Sequence, residues 1–319
     1  TTMVRQEVVD AMIPAFTTYY GNPSSLHEFA REAEQLLTTA RADVAAVIGA
    51  KPDEIIFTGG GSESDNMALR GVVAANKKKG KHVITSAVEH HAVLYTLQAM
   101  EREGIVDLTI LPVDEYGMVS AESVAAAIRE DTVLVSIMFA NNEVGTINPI
   151  AEIGKICREK GVVFHTDAVQ ATGHVPIDVV KMNIDLLSIS AHKFHGPKGV
   201  GVLYLRKGIR IPSLIIGGGQ EKKRRAGTEN VPGIVGLAVA LKHANEHMEE
   251  NAKRIGALRD KLMQGIAEKI PDVKLNGHPT LRLPNNVNYS IRYIEGESIL
   301  LMLDINGIAA SSGSACTSG

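Results

Sequence analysis

The chain has 319 residues, of which 45% are hydrophobic and 22% are charged, and its formal net charge is −3. This composition is typical of a globular protein with a sizeable core and argues against disorder and against a general nucleic-acid-binding surface. The sequence has no run of eighteen apolar residues and no signal-peptide pattern. We therefore expect a cytoplasmic protein that does not bind membranes.

The two cysteines, Cys157 and Cys316, are too few for a disulfide framework or an all-cysteine zinc site, and we predict no metal site. Cys157 lies among apolar residues at helical spacing and is expected in the core. Cys316 lies in a run of small residues, 309–319, where a thiol would be accessible. The chain starts without methionine and stops just after this run, which indicates a piece of a longer protein.

The first predicted element is a helix over residues 24–49, with a capping box formed by Ser25 and Glu28 and a glycine stop at Gly49. Strands and helices then alternate. Strands are predicted at 54–57, 82–87, 107–111, 132–139, 162–165 and 186–191. Helices are predicted at 91–102, 121–129 and 150–160, and a helical pattern also runs through Met67, Leu69, Val72 and Val73. This alternation predicts an α/β protein with a mostly parallel sheet that helices cover on both faces.

The C-terminal third of the chain has a different pattern. A long helical segment runs from about Val235 to Ile270 and is followed by a strand at 286–293 and a helix at 298–304. We therefore predict a large domain over residues 12–248 and a smaller α+β domain made of residues 1–11 and 249–319.

A glycine-rich turn, Thr58-Gly-Gly-Gly-Ser-Glu-Ser64, joins the first strand to a helix. Free backbone N–H groups and the positive end of the helix dipole suit a phosphate at such a turn. The spacing fits neither the dinucleotide fingerprint Gly-x-Gly-x-x-Gly nor the nucleoside-triphosphate loop. The turn therefore either holds the phosphate of a smaller cofactor or binds nothing.

Polar residues follow four of the predicted strands. They are Glu89-His90-His91, Asn141-Asn-Glu-Val-Gly145, Asp167-Ala-Val-Gln170 and Lys193. Each could be a helix cap or a turn, but ligands of parallel sheets bind at the carboxyl ends of the strands, where all four would meet. Lys193, between two histidines at a strand end, could be a nucleophile that forms imines with carbonyl groups.

These groups are the parts that pyridoxal phosphate requires: a phosphate seat, a lysine for the aldehyde, a carboxylate for the ring nitrogen and a histidine to cover the ring. An accessible thiol, Cys316, further suggests a covalent acceptor.

The sequence resembles the NifS/IscS-type cysteine desulfurases, class V enzymes of the aspartate aminotransferase fold, over essentially its whole length. The motifs that carry the resemblance are Thr1-Thr2, Gly21-Asn-Pro-Ser24, Thr58-Gly-Gly-Gly-Ser-Glu-Ser-Asp-Asn66, Glu89-His90, Asn141-Asn-Glu-Val-Gly145, His165-Thr-Asp-Ala-Val-Gln170, Ser190-Ala-His-Lys-Phe-His-Gly-Pro-Lys-Gly199, Gly217-Gly-Gly-Gln220, Arg225-Ala-Gly-Thr228 and Ser311-Ser-Gly-Ser-Ala-Cys316. The resemblance implies a fold-type I pyridoxal phosphate transferase. The last motif is similar to that of the longer-loop group, which serves general iron–sulfur assembly.

The resemblance also implies roles for individual residues. Lys193 would carry pyridoxal 5'-phosphate, Asp167 would pair with its ring nitrogen, and His90 would stack on the ring and transfer protons. Gln170 and Asn142 would flank the ring oxygen. The phosphate would be held by Ser62, Ser190 and His192, and by Thr228 from the second subunit of a homodimer. Gly61 would also belong to the cofactor-binding residues.

The implied reaction converts L-cysteine to L-alanine and leaves the sulfur as a persulfide on Cys316, for an iron–sulfur scaffold protein. Two departures from the family pattern stand out. Gly61-Ser62 replaces the Ala-Thr of many relatives, and the arginine that binds the substrate carboxylate lies beyond residue 319 in relatives. The chain is therefore either a fragment or an impaired copy.

Two alternatives stay open. The chain could be another fold-type I pyridoxal phosphate enzyme, an aminotransferase or selenocysteine lyase, in which Cys316 is incidental. It could also be an inactive fragment that only docks to a sulfur acceptor. The sequence does not decide between iron–sulfur scaffolds, tRNA modification and other destinations for the sulfur.

Overall fold

The computed structural model describes residues 1–313 and confirms the α/β class. Its central sheet has seven strands in the order β1-β7-β6-β5-β4-β2-β3. The strands of this sheet are β1 (Ile55–Thr58), β2 (His82–Ser86), β3 (Asp107–Leu111), β4 (Thr132–Ser136), β5 (Val163–Asp167), β6 (Leu186–Ser190) and β7 (Gly201–Leu205). Strands β2 to β6 pair in parallel, whereas β7 runs antiparallel between β6 and β1. The predicted mostly parallel sheet is confirmed.

Helices flank the sheet on both faces. They are α1 (Gln6–Thr17), α2 (Glu28–Ile48), α3 (Gly61–Ala75), α4 (His91–Arg102), α5 (Ala121–Ala127), α6 (Ile150–Lys160), α7 (Val231–Glu246), α8 (Met248–Lys269) and α9 (Gly296–Ile305). Successive strand residues point to opposite faces. Leu186 of β6 accordingly packs into a core with α3 and α4, whereas Leu187 packs into the larger core with α1, α2 and α7.

The strand directions bring one set of loops together. Because β1 is antiparallel to β7 and β7 is antiparallel to β6, β1 runs in the same direction as the five parallel strands. The chain segments that follow β1, β2, β4, β5 and β6 therefore leave the sheet at the same edge. This is the edge at which the sequence predicts the functional residues.

Three predictions about helices are wrong: the helix start at residue 24, the capping box of Ser25 and Glu28, and the single helix from 235 to 270. The structure also contains α1, for which no helix was predicted. Helix α2 begins at Glu28, and its N-cap is His27, whose ring accepts a hydrogen bond from the Ala30 N–H, so Ser25 and Glu28 form no capping box. The predicted stop at Gly49 is confirmed by its left-handed φ of 71°.

The third wrong prediction is the single helix from 235 to 270. The chain bends at His247, where φ is −107° and ψ is 12°, and this divides the segment into α7 and α8. The two helices have different surroundings: α7 is largely buried against α1 and α2, whereas Gly256 is the buried residue of α8. A single straight helix could not provide both the buried surface of α7 and the more exposed surface of α8.

Beyond α8, a small antiparallel pair is formed by β10 (Val273–Leu275) and β11 (Tyr289–Ile291). Two short strands, β8 (Gly219–Gln220) and β9 (Arg225–Ala226), form a separate hairpin. The segment 276–288 contacts the loop after β4: the Leu283 N–H donates to Gly145 O, and the Asn288 side chain donates to Glu143 O. The division into domains at residues 11 and 248 stays a prediction.

Two further predictions concern single features. Cys157 is fully buried on α6, as expected, and burial raises the pKa of its thiol to about 12, so it stays protonated. Within residues 1–313, no helix combines the length and the apolar character needed to span a bilayer.

Candidate active site

A pocket lies at the carboxyl edge of the sheet and contains about 550 Å³ of space, part of it open to solvent. Its lining comes from five separate segments of the chain. The lining residues are Gly61, Ser62, Asp65, His90, Met138, Asn142, Asp167, Val169, Gln170, Ser190, His192 and Lys193. Nine of these are predicted site residues, so the structure brings together all but two of the predicted set.

The glycine-rich turn forms one wall of this pocket. Gly60 caps α3 with φ 149° and ψ −178°, a conformation that favours glycine. A Cβ on Gly61 would lie 2.8 Å from Val169 Cγ2, so the missing side chain lets the helix start approach the segment after β5. The first turn of α3, with its unpaired N–H groups and positive dipole end, therefore faces the pocket beside Ser62 and Ser190.

Lys193 lies in a short 3₁₀ turn, Ala191–Lys193, directly after β6. The N-terminal segment clamps this turn: Thr2 donates from both its N–H and its hydroxyl to His192 O, at 2.8 and 3.0 Å. The Thr2 hydroxyl also accepts a hydrogen bond from the His195 N–H at 2.7 Å. These contacts fix the lysine backbone from both sides and give the Thr1-Thr2 motif a structural reason.

His192, next to the lysine, stays neutral near pH 7. Its pKa is lowered to about 4, chiefly by burial and further by the charges of Lys193 and Lys198. A neutral imidazole can both donate and accept a hydrogen bond at this wall.

Asp167 ends β5 and is almost fully buried in the pocket. Its pKa is raised above the ordinary value, chiefly by burial, although a hydrogen bond from the Val169 N–H at 2.9 Å and the nearby His90 and Lys193 act in the opposite direction. The carboxylate is thus oriented by its own loop. A cationic group in the pocket would stabilise its charged form further.

His90 is the N-cap of α4, and its Nδ1 accepts a hydrogen bond from the Ala92 N–H at 3.2 Å. Burial lowers the pKa of the imidazole, and His91 and Lys193 lower it further, against the influence of Asp167. Because Nδ1 accepts, the neutral ring carries its proton on Nε2. His90 is therefore set to donate a hydrogen bond.

The loop after β4 presents Asn142. Its neighbour Asn141 ties the loop down: the Asn141 side chain donates to Val88 O and accepts from the N–H groups of Glu143 and Val144. Asn141 is buried and structural, whereas Asn142 is left to line the pocket. The Asn-Asn pair is thus both a turn and a pocket wall.

Sequence reasoning missed three residues that line the pocket: Asp65, Met138 and Val169. Asp65 is on α3 and only 1% exposed, and its Oδ1 has no hydrogen-bond partner. One side-chain ligand atom from each of Asp65, His90 and Asp167 lies within 4.8 Å of the others. An acidic residue on the buried face of a helix next to a glycine turn was the signal that could have identified Asp65.

Glu89 is a third buried carboxyl group, close to the pocket. It accepts hydrogen bonds from the Ser86 hydroxyl and the Met138 N–H, and burial raises its pKa to about 8. The pocket therefore has an acidic end at Asp65, Glu89 and Asp167 and an anion-binding end at the start of α3.

One predicted site residue of the described chain lies elsewhere. Thr228 is exposed and lines a different cavity together with Gly59, Arg225 and Asn230. Cys316 lies outside the described residues.

The chain matches the Aminotransferase class-V family over residues 1–318. It is 58% identical over 318 residues to a protein named cysteine desulfurase IscS from Methanosarcina thermophila, an alignment that covers 100% of this chain and 78% of that relative. Its fold matches that of a solved NifS-like protein with a TM-score of 0.94 at 42% identity, covering 98% of this chain and 85% of the other. A structure described as SspA in complex with cysteine matches with a TM-score of 0.86 at 37% identity, covering 99% and 88%.

Proposed function

The chain belongs to the class-V aminotransferase family, and we propose that it is a pyridoxal phosphate-dependent cysteine desulfurase that supplies sulfur for iron–sulfur cluster assembly. The observation that carries the proposal is the joint presence of Lys193, Asp167 and His90 in one pocket beside the start of α3. A relative at 58% identity over the whole chain carries the name of this activity.

The residues of the pocket fit the cofactor at both ends. The acidic end contains a buried oxygen without a partner, Asp65 Oδ1, beside the Asp167 carboxylate, and suits the protonated ring nitrogen. The other end combines the first turn of α3, Ser62 and Ser190, and suits a phosphate. Bound there, the ring would accept the electron pair released at the α-carbon of an amino acid.

The residues of this chain would then divide the work. Lys193 Nζ would hold the cofactor through its aldehyde carbon and, once released by the substrate, would take the proton from the substrate α-carbon and return it before alanine leaves. Asp167 would keep the ring nitrogen protonated. His90 would cover the ring and donate a proton from Nε2, while Asn142 and Gln170 would flank the ring oxygen.

The sulfur step requires a thiol. Cys316, as thiolate, would attack the sulfur atom of the substrate cysteine. The carbon–sulfur bond breaks and a sulfur–sulfur bond forms, so that Cys316 carries a persulfide. The electron pair of the broken bond stays with the substrate carbon, which takes a proton and leaves as alanine.

The intact mass of the purified protein before and after addition of L-cysteine tests this function. We expect the cofactor mass in the borohydride-reduced protein, one added sulfur on Cys316 after cysteine, and alanine in the supernatant. A Cys316→Ser variant should keep the cofactor absorbance and lose the added sulfur. Alanine without any sulfur on the protein, or sulfide release unchanged in this variant, would contradict the proposal.

We further propose a homodimer in which Thr228 completes the phosphate site of the partner subunit. The exposure of Thr228 away from its own pocket supports this arrangement. Large apolar side chains exposed near the N-terminus offer a surface for the second copy; they include Ile13, Phe16, Tyr20 and Phe29.

Subunit complementation tests this arrangement. A mixed dimer of Lys193→Ala and Thr228→Ala subunits contains one intact pocket if Thr228 acts across the dimer. We expect such mixtures to bind more cofactor than the two variants kept apart. If Thr228 acts within its own subunit, mixing would restore nothing.

The acceptor of the sulfur is, in this proposal, an iron–sulfur scaffold protein, and the reaction takes place in the cytoplasm, where free thiols persist. Transfer of ³⁵S from labelled cysteine to a purified scaffold protein tests the acceptor, and cell fractionation tests the location.

A further inference from the structure

Asp65 and Asp167 form a pair of carboxyl groups inside the pocket. They come from different elements, α3 and the end of β5, and they are 1% and 6% exposed. Their side-chain oxygens lie within 4.8 Å of each other and of a His90 ring nitrogen. Two carboxylates this close and this buried do not both ionise, because their charges repel in a medium of low dielectric constant.

The surroundings of the two groups are unequal. Asp167 accepts the Val169 N–H and lies near His90 and Lys193, and all three favour its charged form. Asp65 Oδ1 has no hydrogen-bond partner, and of its neighbours only the Ser188 hydroxyl favours the charged form.

The other ionisable groups that face Asp65 are Glu89, from the segment after β2, and His165, within β5. Glu89 disfavours a charge on Asp65 only when it is itself ionised, and its own pKa of about 8 leaves it mostly protonated near neutral pH. His165 Nε2 lies 3.6 Å from Asp65 Oδ1, but burial lowers the His165 pKa to about 3, so the ring is neutral and supplies no counter-charge. Its two nitrogens are instead engaged with the hydroxyls of Ser136 and Ser188.

We propose that Asp65 carries a proton in the folded protein while Asp167 carries the negative charge of the pair. Asp65 is then a positioning residue that keeps the acidic end of the pocket at a single charge, directed at the ring nitrogen. The assignment of the proton to Asp65 rests on the contacts of the two carboxyl groups. The positioning role of Asp65 toward the ring nitrogen rests on the proposed function.

The consequence can be measured in thermal unfolding. An aspartate in the unfolded chain loses its proton above its ordinary pKa, so the folded protein binds one proton more, and wild-type stability falls as pH rises toward the raised folded pKa of Asp65. Asp65→Asn keeps the shape and needs no proton. We expect its gain in Tm over wild type to grow as pH rises from about pH 5, which is above the ordinary pKa of aspartate, toward the folded pKa of Asp65.

Two variants serve as comparisons. Asp167→Asn should show no growing gain over the same range, because Asp167 is already charged. Asp185→Asn is the matched control: Asp185 is equally buried but paired with Arg158 and Arg206, so neutralising it should lower Tm near neutral pH. A gain for Asp65→Asn that does not change with pH, a loss at every pH, or a growing gain for Asp167→Asn would overturn the assignment.

Infrared spectroscopy of the wild-type protein covers the case in which Asp65→Asn does not fold. With ¹³C-labelled aspartate, which separates the signal from Glu89, we expect the carbonyl band of a protonated acid near neutral pH, and this band should persist in Asp167→Asn. Absence of the band, or its loss in Asp167→Asn, would place the proton elsewhere.

The positioning role is tested by adding pyridoxal phosphate in the same unfolding assay. At about pH 8 the cofactor should raise the Tm of Asp65→Asn by clearly more than that of Asp167→Asn. If the rise in Tm caused by the cofactor were reduced equally in both variants relative to wild type, the positioning role of Asp65 would be overturned. None of these readouts depends on conversion of cysteine, so a failure of the desulfurase assay would leave them interpretable.

Discussion

The two ends of the pocket are built in opposite ways. The acidic end consists of buried side chains, Asp65, Glu89 and Asp167, whose pKa values are raised by burial. The opposite end consists mainly of backbone: the start of α3 at Gly61, with the small side chain of Ser62 exposed beside it. One end attracts a cation through the charged carboxylate of Asp167, and the other attracts an anion through N–H groups and a helix dipole.

This contrast determines what each end tolerates. Buried carboxylates store an unfavourable free energy that a bound cation relieves, so changes at the acidic end should alter pH dependence and charge. The glycine end depends on close approach of backbone to ligand, so changes there should act through steric fit. Lys193 is the only lysine among the described residues that line the pocket.

Lys193→Ala should therefore have the largest effect. We expect alanine formation from cysteine to fall on the order of 10³-fold or more, because the variant loses both the covalent anchor and the group that takes the α-proton. The cofactor should no longer be retained after borohydride reduction and denaturation. Lys198→Ala, an exposed lysine five residues further along, is the control and should keep both properties. Retention of reduced cofactor at another lysine would show that the anchor is assigned wrongly.

Asp167→Asn should follow, with a loss on the order of 10²-fold in turnover, because an amide cannot hold the ring nitrogen protonated. The absorbance of the bound cofactor should become sensitive to pH in a range where the wild type is constant. If turnover and spectra were unchanged in this variant, Asp167 would not be the partner of the ring nitrogen.

Much of this contrast could be predicted from the sequence, because strand ends are easy to find. Lys193 and Asp167 each follow an apolar run, and the parallel alternation of strands and helices places such residues at one edge of the sheet. The boundaries of His91–Arg102 and Asp107–Leu111 were predicted to the residue.

What escaped prediction depends on contacts between distant parts of the chain. Asp65 is on a helix whose periodicity gives no sign that its buried face meets β5. The Arg41 guanidinium binds the Glu221 carboxylate at 2.7 Å across 180 residues and so anchors the hairpin near Thr228. Periodicity and turn residues carry no information on such pairs.

Glu89→Gln tests the acidic end through stability. The folded pKa of Glu89 is about 8, above the ordinary value, so the protonated form is the folded one and wild-type stability is lost as pH rises from the ordinary value toward about 8. Gln keeps the acceptor for Ser86 and Met138 without a proton to lose. We expect its gain in unfolding free energy to grow by at most about 1.4 kcal/mol per pH unit and to level off above about pH 8. A gain independent of pH in denaturant titrations would mean that Glu89 is charged in the folded protein.

Gly61→Ala tests the glycine end, and its effect should be the smallest. A Cβ at this position would lie 2.8 Å from Val169 Cγ2 and 3.5 Å from Ser190 Cβ, so the wall of the pocket must shift. We expect a loss of about 1 to 3 kcal/mol, seen in cofactor affinity or in unfolding free energy. Gly265→Ala is the matched control, because Gly265 lies in α8 with nothing near its Cβ position, and there the change should stabilise the protein by about 0.5 to 1 kcal/mol. A loss of stability or cofactor affinity in Gly61→Ala, together with a gain of stability in Gly265→Ala, would show that close approach is needed at Gly61. A gain of stability in both variants would mean that Val169 moves aside and that the turn accepts an alanine at position 61.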